Sequence, residues 1–219
     1  MFKKLNPIKR RIFKGITKSF KNKNVPYKVS GFINKKATKI LIIRPNHRLG
    51  NQLLISPLIQ EIYNTIPNCE IDLLVNGNLS SILYKNYSYV NIVHNLPKKP
   101  FKNLGAYLKT SYNVISSKYD IGISGCEKSN SGKIFLKLSR CKHKIYNSAN
   151  IVQDKPNHIA KQPVYNFVKL NENFNGQVNY PKIDIKLALD EVKRGKEVIN
   201  KVFDNNKKVI GPSSTGFVL

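Results

Sequence analysis

The chain has 219 residues, of which 41% are hydrophobic and 23% are charged, and its formal net charge is +26. This composition is typical of a folded globular protein and excludes wholesale disorder. The length suits one α/β domain with additions and is too short for two complete nucleotide-binding domains of about 150 residues each. The charge predicts a polyanionic neighbour, and it leaves nucleic acid, an anionic bilayer and a phosphorylated substrate open.

The first 40 residues contain 13 Lys or Arg and no acidic residue. Apolar side chains recur at spacings of three and four residues, which predicts a basic amphipathic helix; they are Leu5, Ile8, Ile12, Ile16 and Phe20. Two interpretations stay open for this leader. It attaches the protein to an anionic inner leaflet, or it is a packed N-terminal helix whose lysines are merely solvated.

From Thr38 onward, short apolar runs alternate with longer segments of helical periodicity, which predicts βαβ units. The predicted strands are Lys39–Arg44, Glu70–Val75, Asn91–His94, Asp120–Ser124 and His143–Tyr146. The predicted helices are Gln52–Thr65, Leu79–Lys85, Asn103–Lys118, Lys133–Ser139, Ala160–Leu170 and Leu187–Phe203. The predicted fold class is α/β, a Rossmann-like doubly wound parallel sheet.

This pattern divides the chain into three segments. Residues 1–37 form the leader and a linker, residues 38–185 form the Rossmann-like domain, and residues 186–219 form an interdomain helix and the start of a second domain. A further strand is predicted at Lys207–Gly211, where the second domain begins and is not completed.

The cysteines and the hydropathy indicate where the protein resides. Cys69, Cys126 and Cys141 lack the spacing of a zinc site and are odd in number, which favours reduced thiols in the cytoplasm. No apolar stretch approaches the roughly 20 residues that cross a bilayer. We therefore expect a cytoplasmic protein, with peripheral attachment to the inner membrane face if the leader binds lipid.

The most informative segment is Lys39–Ile66, in which a buried strand leads into a short polar loop and a long helix. The carboxyl ends of parallel strands are the places where open α/β sheets bind ligands, and the first amides of a helix favour an anion. We predict ligand-binding roles for the polar residues of this loop and for two residues that follow another predicted strand: Arg44, Asn46, Arg48, Gly50, Gln52, Glu127 and Lys128. A tight turn with solvated arginines is the alternative.

The same segment resembles the opening of glycosyltransferase family 9, which includes the ADP-heptose:lipopolysaccharide heptosyltransferases. The similarity rests on the strand and Arg44, on Leu49-Gly50, on Ser56-Pro57-Leu58 in the helix, and on the strand that follows Pro67. Lys118–Ile123 resembles the family's later strand with Tyr and Asp, and Lys133–Tyr146 resembles the helix and strand after it. The resemblance covers roughly Thr38–Gly211, and its first forty residues are the distinctive ones.

This resemblance implies a GT-B architecture, in which the N-terminal domain holds the sugar acceptor and the C-terminal domain holds a nucleotide-sugar. It further implies inverting transfer without a metal or another cofactor, with a carboxylate after the loop glycine as the base. Asn51 occupies that position here, and an amide cannot take a proton. His47, four residues earlier, is the candidate base because a neutral imidazole accepts a proton near neutral pH.

The implied acceptor is lipopolysaccharide or a related anionic surface glycan, which can be lipid-linked. Because the donor domain is only begun, we expect the isolated chain to have negligible transferase activity. Three alternatives stay open: a non-catalytic or degenerate glycan-binding module, a fucosyltransferase-like enzyme suggested by Leu49–Gln52, and a nucleic-acid-binding protein. The last rests on charge alone, since no RNP-like aromatic pattern accompanies the basic residues.

Overall fold

A computed structural model describes residues 24, 26–33, 35–126, 129–146 and 156–202 of the chain. The predicted leader helix, the predicted strand at Lys207–Gly211 and the predicted ligand-binding residues Glu127 and Lys128 lie outside these residues. The chain divides into two compact units, with the boundary between Ile185 and Lys186.

The first unit contains a five-stranded, all-parallel sheet with the strand order β3-β2-β1-β4-β5. The strands are β1 (Thr38–Arg44), β2 (Cys69–Asn76), β3 (Val90–Leu96), β4 (Lys118–Ser124) and β5 (Arg140–Ile145). All five predicted strands are confirmed. The run Ile40 to Ile43 is fully buried because β1 is the central strand and is covered on both faces, as is typical of parallel sheets.

The helices of the described residues follow the predicted alternation with the strands. They are α1 (Ser30–Ile33), α2 (Leu49–Leu53), α3 (Ser56–Thr65), α4 (Leu79–Leu83), α5 (Leu104–Ser116), α6 (Asn130–Leu138), α7 (Lys161–Lys169) and α8 (Leu189–Val202). The predicted helix Gln52–Thr65 is two helices, because Pro57 lies in the first turn of α3. Proline suits that position since its missing N–H would have no helical partner there.

Helices cover both faces of the sheet and give the first unit two hydrophobic clusters. The larger cluster joins alternate residues of the central strands, such as Ile40 and Ile42, to α3 and α7. The smaller one joins the opposite set, such as Leu41 and Ile43, to α5 and α6. This arrangement is a doubly wound Rossmann-like sheet, and it confirms the predicted fold class.

The core of the first unit includes two residues of the stretch that the sequence analysis treats as a linker. Tyr27 and Phe32 are 1% and 4% exposed, and the Tyr27 hydroxyl donates a hydrogen bond to the Phe167 carbonyl oxygen at 2.8 Å. The Tyr27 backbone also forms a bridge with Asn171. Two apolar side chains among many polar ones give no clear periodicity, so the sequence pattern does not reveal this packing.

A charged cluster lies near the amino end of β4. Asp120 accepts hydrogen bonds from the Lys35 ammonium, from the Lys39 backbone amide at 3.2 Å and from the Lys142 ammonium at 3.3 Å. Burial alone would raise the pKa of Asp120, but these donors outweigh it and hold the pKa below its ordinary value.

The second unit, as far as the structure describes it, consists of α8 and the residues before it. The Ala188 amide donates to the Glu191 carboxylate at 2.9 Å at the start of the helix. On its exposed surface Arg194 pairs with Asp190 at 2.8 Å, one helical turn away. Among the described helices of both units, none combines the length and the apolar character that crossing a bilayer demands.

Candidate functional site at the carboxyl end of the sheet

Arg44, the last residue of β1, is 2% exposed, and its guanidinium does not project into open space. The Nη1 group donates a hydrogen bond to the carbonyl oxygen of Gly125, directly after β4. Burial lowers the pKa of Arg44. The side chain therefore connects the carboxyl ends of two neighbouring strands and frames the predicted site.

Gln52, like Arg44, is a predicted binding residue whose side chain forms hydrogen bonds within the protein. Its side chain is fully buried, and its amide nitrogen donates to the carbonyl oxygens of Asn46 at 2.8 Å and Asn76 at 3.1 Å. Its amide oxygen accepts from the Ser80 hydroxyl at 2.9 Å. The backbone oxygen of Gln52 accepts from the Tyr84 hydroxyl at 2.6 Å. Gln52 thus ties the loop after β1 to the end of β2 and to α4.

The loop between β1 and α2 presents the remaining predicted side chains. The Asn46 side-chain oxygen accepts a hydrogen bond from the Arg48 amide at 2.9 Å, which fixes the turn into the helix. His47 and Arg48 are exposed, and Asn51 is half-buried. Neither the imidazole of His47 nor the guanidinium of Arg48 pairs with a carboxylate of the part of the chain that the structure describes.

Gly50 lies inside α2 and is exposed to solvent. A methyl group at this position would meet no atom within 4 Å, so the fold does not require glycine there. The consequence is a bare stretch of helix surface next to Arg48, which a ligand can approach closely.

A surface hollow that was not predicted from the sequence lies at the carboxyl ends of β2 and β3. Its volume is about 530 Å³, and its wall includes three lysines, Lys98, Lys99 and Lys102. Gln52, which is bonded to the loop after β1, also bonds to the carbonyl oxygen of Asn76, the residue before Gly77 in the wall of the hollow. Parallel register brings these segments together, whereas they are about twenty residues apart in the sequence.

Gly77 shapes the floor of this lysine-lined hollow. Its φ of 76° is in the left-handed region that favours glycine, and its amide donates to the Leu96 carbonyl oxygen at 2.8 Å. A methyl group on Gly77 would lie 2.6 Å from Cε of Lys98. The alkyl chain of Lys98 therefore crosses the bare backbone of Gly77.

Two amide oxygens near the hollow are buried without a hydrogen-bond donor among the described residues: those of Asn76 and Asn95. Asn95 belongs to the wall of the hollow, and its amide nitrogen donates to the Ser81 hydroxyl at 3.0 Å. Buried polar atoms are normally paired. Both oxygens are closed off from solvent, so they lie in the interior beside the hollow and not on its open surface.

The loops after β1, β2 and β3 carry charges of one sign. Between residues 73 and 119 the sequence contains six lysines and no Asp or Glu. The loops after β1, β2 and β3, residues 45–48, 77–78 and 97–103, likewise contain no acidic residue. An anion that enters here meets cations without competing carboxylates from these loops.

Metal-binding chemistry finds no matching cluster in the described ranges. No group of three His, Cys, Asp or Glu side chains there is arranged to hold a metal ion. His94 lies 3.6 Å from Asp72, and the Tyr119 hydroxyl donates to the same carboxylate at 3.1 Å, in the middle of the sheet. The Asp72 carboxylate thus has its hydrogen-bond donor inside the fold, while Nε2 of His94 is buried with no hydrogen-bond partner among the described residues.

Comparisons with known proteins identify the fold. No protein-family model matches the chain, and no curated protein matches its sequence. Solved structures do match: E. coli heptosyltransferase WaaC with ADP is 15% identical over 70% of this chain and 55% of that chain, with a TM-score of 0.54.

Two further structures agree with this match. The glycosyl transferase family 9 protein from Veillonella parvula is 14% identical over 77% of this chain and 51% of that chain, with a TM-score of 0.57. E. coli ADP-heptose lps heptosyltransferase II is 12% identical over 75% of this chain and 50% of that chain, with a TM-score of 0.50. The chain spans about half the length of these proteins. It has the Rossmann-like α/β fold of solved heptosyltransferases of glycosyltransferase family 9, the family that its first strand, loop and helix resemble.

Proposed function

We propose that the chain is the acceptor-binding part of a GT-B glycosyltransferase. The proposed reaction transfers a sugar from a nucleotide-sugar to an anionic saccharide, such as lipopolysaccharide or a related surface glycan. The cationic carboxyl end of the sheet is the observation that carries this proposal. The likeness to solved heptosyltransferases supports the reaction class.

The proposed acceptor site extends from the β1 loop to the lysine-lined hollow. Arg48 offers a planar, bidentate donor to a phosphate or carboxylate, and Lys98, Lys99 and Lys102 add mobile point charges. Together these cations match a ligand that carries acid groups.

The remaining predicted residues support this site from within the protein. Arg44 joins the ends of β1 and β4, and Gln52 joins the β1 loop to β2 and α4. Asn46 fixes the turn, and Gly50 leaves room beside it. We therefore assign direct contact with the acceptor to Arg48 and the lysines, and assign positioning roles to Arg44, Asn46 and Gln52.

The proposed chemistry needs one proton acceptor. An acceptor hydroxyl oxygen attacks the anomeric carbon, the bond from that carbon to the nucleotide phosphate breaks, and the nucleotide leaves with the bonding electrons. The hydroxyl proton must pass to a base as the new glycosidic bond forms. Asn51 cannot accept it, so we assign the proton to the exposed imidazole of His47.

A non-catalytic glycan-binding module is the second candidate function. The amide of Asn51, where the family resemblance implies a carboxylate, favours it. Binding of the acceptor is common to both candidates, and turnover separates them.

Calorimetric titration with a phosphorylated lipopolysaccharide-core oligosaccharide tests the binding site. We expect binding that the dephosphorylated oligosaccharide lacks, and we expect Arg48→Ala to weaken it about tenfold, the value of one charged hydrogen bond. Lys182→Ala removes the same charge from a site next to α3 and is the matched control. Equal binding by both variants, or salt-steep binding to duplex DNA alone, contradicts the proposal.

Turnover is measured as nucleotide release from a panel of nucleotide-sugars in the presence of the same oligosaccharide. The assay uses this chain and the longest protein that its coding DNA specifies. Release that His47→Gln reduces at least tenfold supports the transferase, while saccharide binding without release by either protein supports the binding module.

A further inference from the structure

Helix α5, in the first unit, carries a stripe of apolar side chains that are exposed to solvent. Leu104, Leu108 and Tyr112 are 54%, 57% and 72% exposed, and they recur every four residues along one side of the helix. The helix buries Ser111 and Val114. Because Ser111 is seven residues from Leu104, the stripe starts at the edge of the buried side and turns away from it towards Tyr112. Contiguous exposed apolar side chains of this kind mark interaction surfaces.

Lysines border this stripe. Lys109 is exposed on α5 directly after Leu108, and Lys102 is exposed in the turn that precedes the helix. Lys98 and Lys99 precede the helix, and Lys118 follows it. Between positions 73 and 119 the sequence contains no acidic residue, so the chain on either side of α5 contributes cations only.

Exposed apolar side chains of a helix with lysines near both of its ends suit the interface of a membrane that contains anionic lipids. We propose that α5 docks the protein on an anionic bilayer, with Leu104, Leu108 and Tyr112 entering the lipid and the lysines contacting its phosphate groups. This docking surface is separate from the basic leader, and it does not depend on the proposed transferase reaction.

The charge distribution selects the bilayer over two other occupants. A second copy of the chain, paired through the same face, would bring the lysines of both copies together. Residues 1–40 of this chain contain 13 Lys or Arg and no acid, so that segment would also meet the stripe with charge of the same sign. An anionic bilayer provides an apolar interior for the stripe and negative charge for the lysines.

The lysine-lined hollow opens beside the docking surface. Lys102 and Asn103 belong both to the wall of the hollow and to the turn that enters α5. Exposed Ile82 of α4 lies in the same wall. Docking through α5 would therefore place the hollow at the level of the lipid head groups.

The sequence contains no tryptophan, which allows a direct test of the position of α5. In full-length Leu108→Trp the single indole replaces an exposed apolar residue, so the fold should be retained and its thermal transition is checked first. We expect its emission to shift to the blue with phosphatidylcholine vesicles that contain phosphatidylglycerol, and to be quenched by brominated acyl chains. Vesicles of phosphatidylcholine alone should give little change.

Ile159→Trp is the matched control, because Ile159 is 47% exposed and precedes α7, which covers the opposite face of the sheet. Its emission should not change with either vesicle. An unchanged Leu108→Trp spectrum in the presence of vesicles that sediment with the protein would overturn the proposal, since the leader alone would then hold the membrane. Blue emission before vesicles are added, or a shift with protein concentration, would equally overturn it by showing that protein covers α5.

A second pair of variants measures the strength of docking. We expect Leu104→Ser combined with Leu108→Ser to reduce the vesicle partition coefficient at least tenfold, and Lys102→Ala combined with Lys109→Ala to reduce it similarly at low salt. The serine variant should retain binding of the soluble oligosaccharide. Loss of both activities together would contradict a separate docking surface.

Discussion

At the amino end of the sheet, the Asp120 carboxylate is enclosed by Lys35 and Lys142, whereas at the carboxyl end Arg48 and the lysines of the hollow face no described carboxylate. In the first arrangement the carboxylate is paired within the protein, and the pairing contributes to folding. The second leaves cations at the place where parallel sheets bind ligands. A charge that the fold has already paired is structural, and a charge that it leaves unpaired in a concave surface is available to a ligand.

The largest expected effect concerns Gln52, which holds the loop after β1 against β2 and α4. Gln52→Leu leaves the Asn46 and Asn76 carbonyl oxygens and the Ser80 hydroxyl without their partner. We expect it to lower the free energy of unfolding by about 2–4 kcal/mol, measured by urea denaturation. Gln162→Leu is the control, because its amide makes a long 3.4 Å bond near the surface. Equal losses of unfolding free energy in both variants would contradict the structural role assigned to Gln52.

The next effect concerns the amino end. Asp120→Asn removes the charge that Lys35 and Lys142 share, and we expect a loss of about 1–3 kcal/mol at neutral pH. Because the folded pKa of Asp120 lies below its unfolded value of about 3.9, this stabilisation is complete above that value and disappears as the pH falls through the folded pKa.

Urea denaturation of both proteins between acid and neutral pH checks this expectation. The difference between the wild type and Asp120→Asn should narrow below about pH 4. Asp190→Asn, in an exposed pair with Arg194, should change stability by less than about 0.5 kcal/mol. A difference that widens on acidification would contradict the assigned pairing.

Gly77→Ala tests the shape of the lysine-lined hollow without changing its charge. Its positive φ and the overlap with Lys98 predict a loss of about 1–2 kcal/mol in thermal denaturation, together with weaker oligosaccharide binding. Gly50→Ala, in the open surface of α2, should leave stability unchanged or slightly increased and should weaken binding only if the acceptor contacts that helix. Equal stability of the two variants would contradict the described floor of the hollow.

The smallest expected change in stability concerns the exposed cations Arg48 and Lys98. Arg48→Ala and Lys98→Ala remove exposed charges that the described residues do not pair, so each should alter the unfolding free energy by less than about 0.5 kcal/mol. Both should reduce oligosaccharide binding and its dependence on salt. A stability loss comparable to that of Asp120→Asn would show that these cations have partners in the fold.

Local sequence patterns were sufficient to predict the sheet. The fully apolar run Ile40–Ile43 identifies a central strand, and the alternation with helices identifies the α/β class. The burial of Tyr27 and Phe32 could not be predicted in this way, because it depends on contacts with residues such as Phe167, which is far along the chain. A few isolated apolar residues carry no periodic signal.

The sequence predicted the position of the loop after β1, but it did not predict which side chains of the candidate site are exposed. The turn after β1 carries exposed Arg48, as its position suggested, while Arg44 four residues earlier is turned inward to Gly125. Strand alternation alone could not distinguish the two arginines, since Arg44 depends on the neighbouring strand β4 for its partner. The lysine-lined hollow could not be predicted because it forms only when the ends of β2 and β3 lie side by side.

The central claim, that an anionic saccharide binds at the carboxyl end of the sheet, can be tested most directly by mapping amide chemical shifts. The isotope-labelled chain is titrated with the phosphorylated lipopolysaccharide-core oligosaccharide. We predict that the shifts concentrate at residues 46–50, 77–79 and 98–103, which form the β1 loop and the lysine-lined hollow. Shifts confined to the amino end around Lys35 and Lys142, or no shifts at all, would contradict the account.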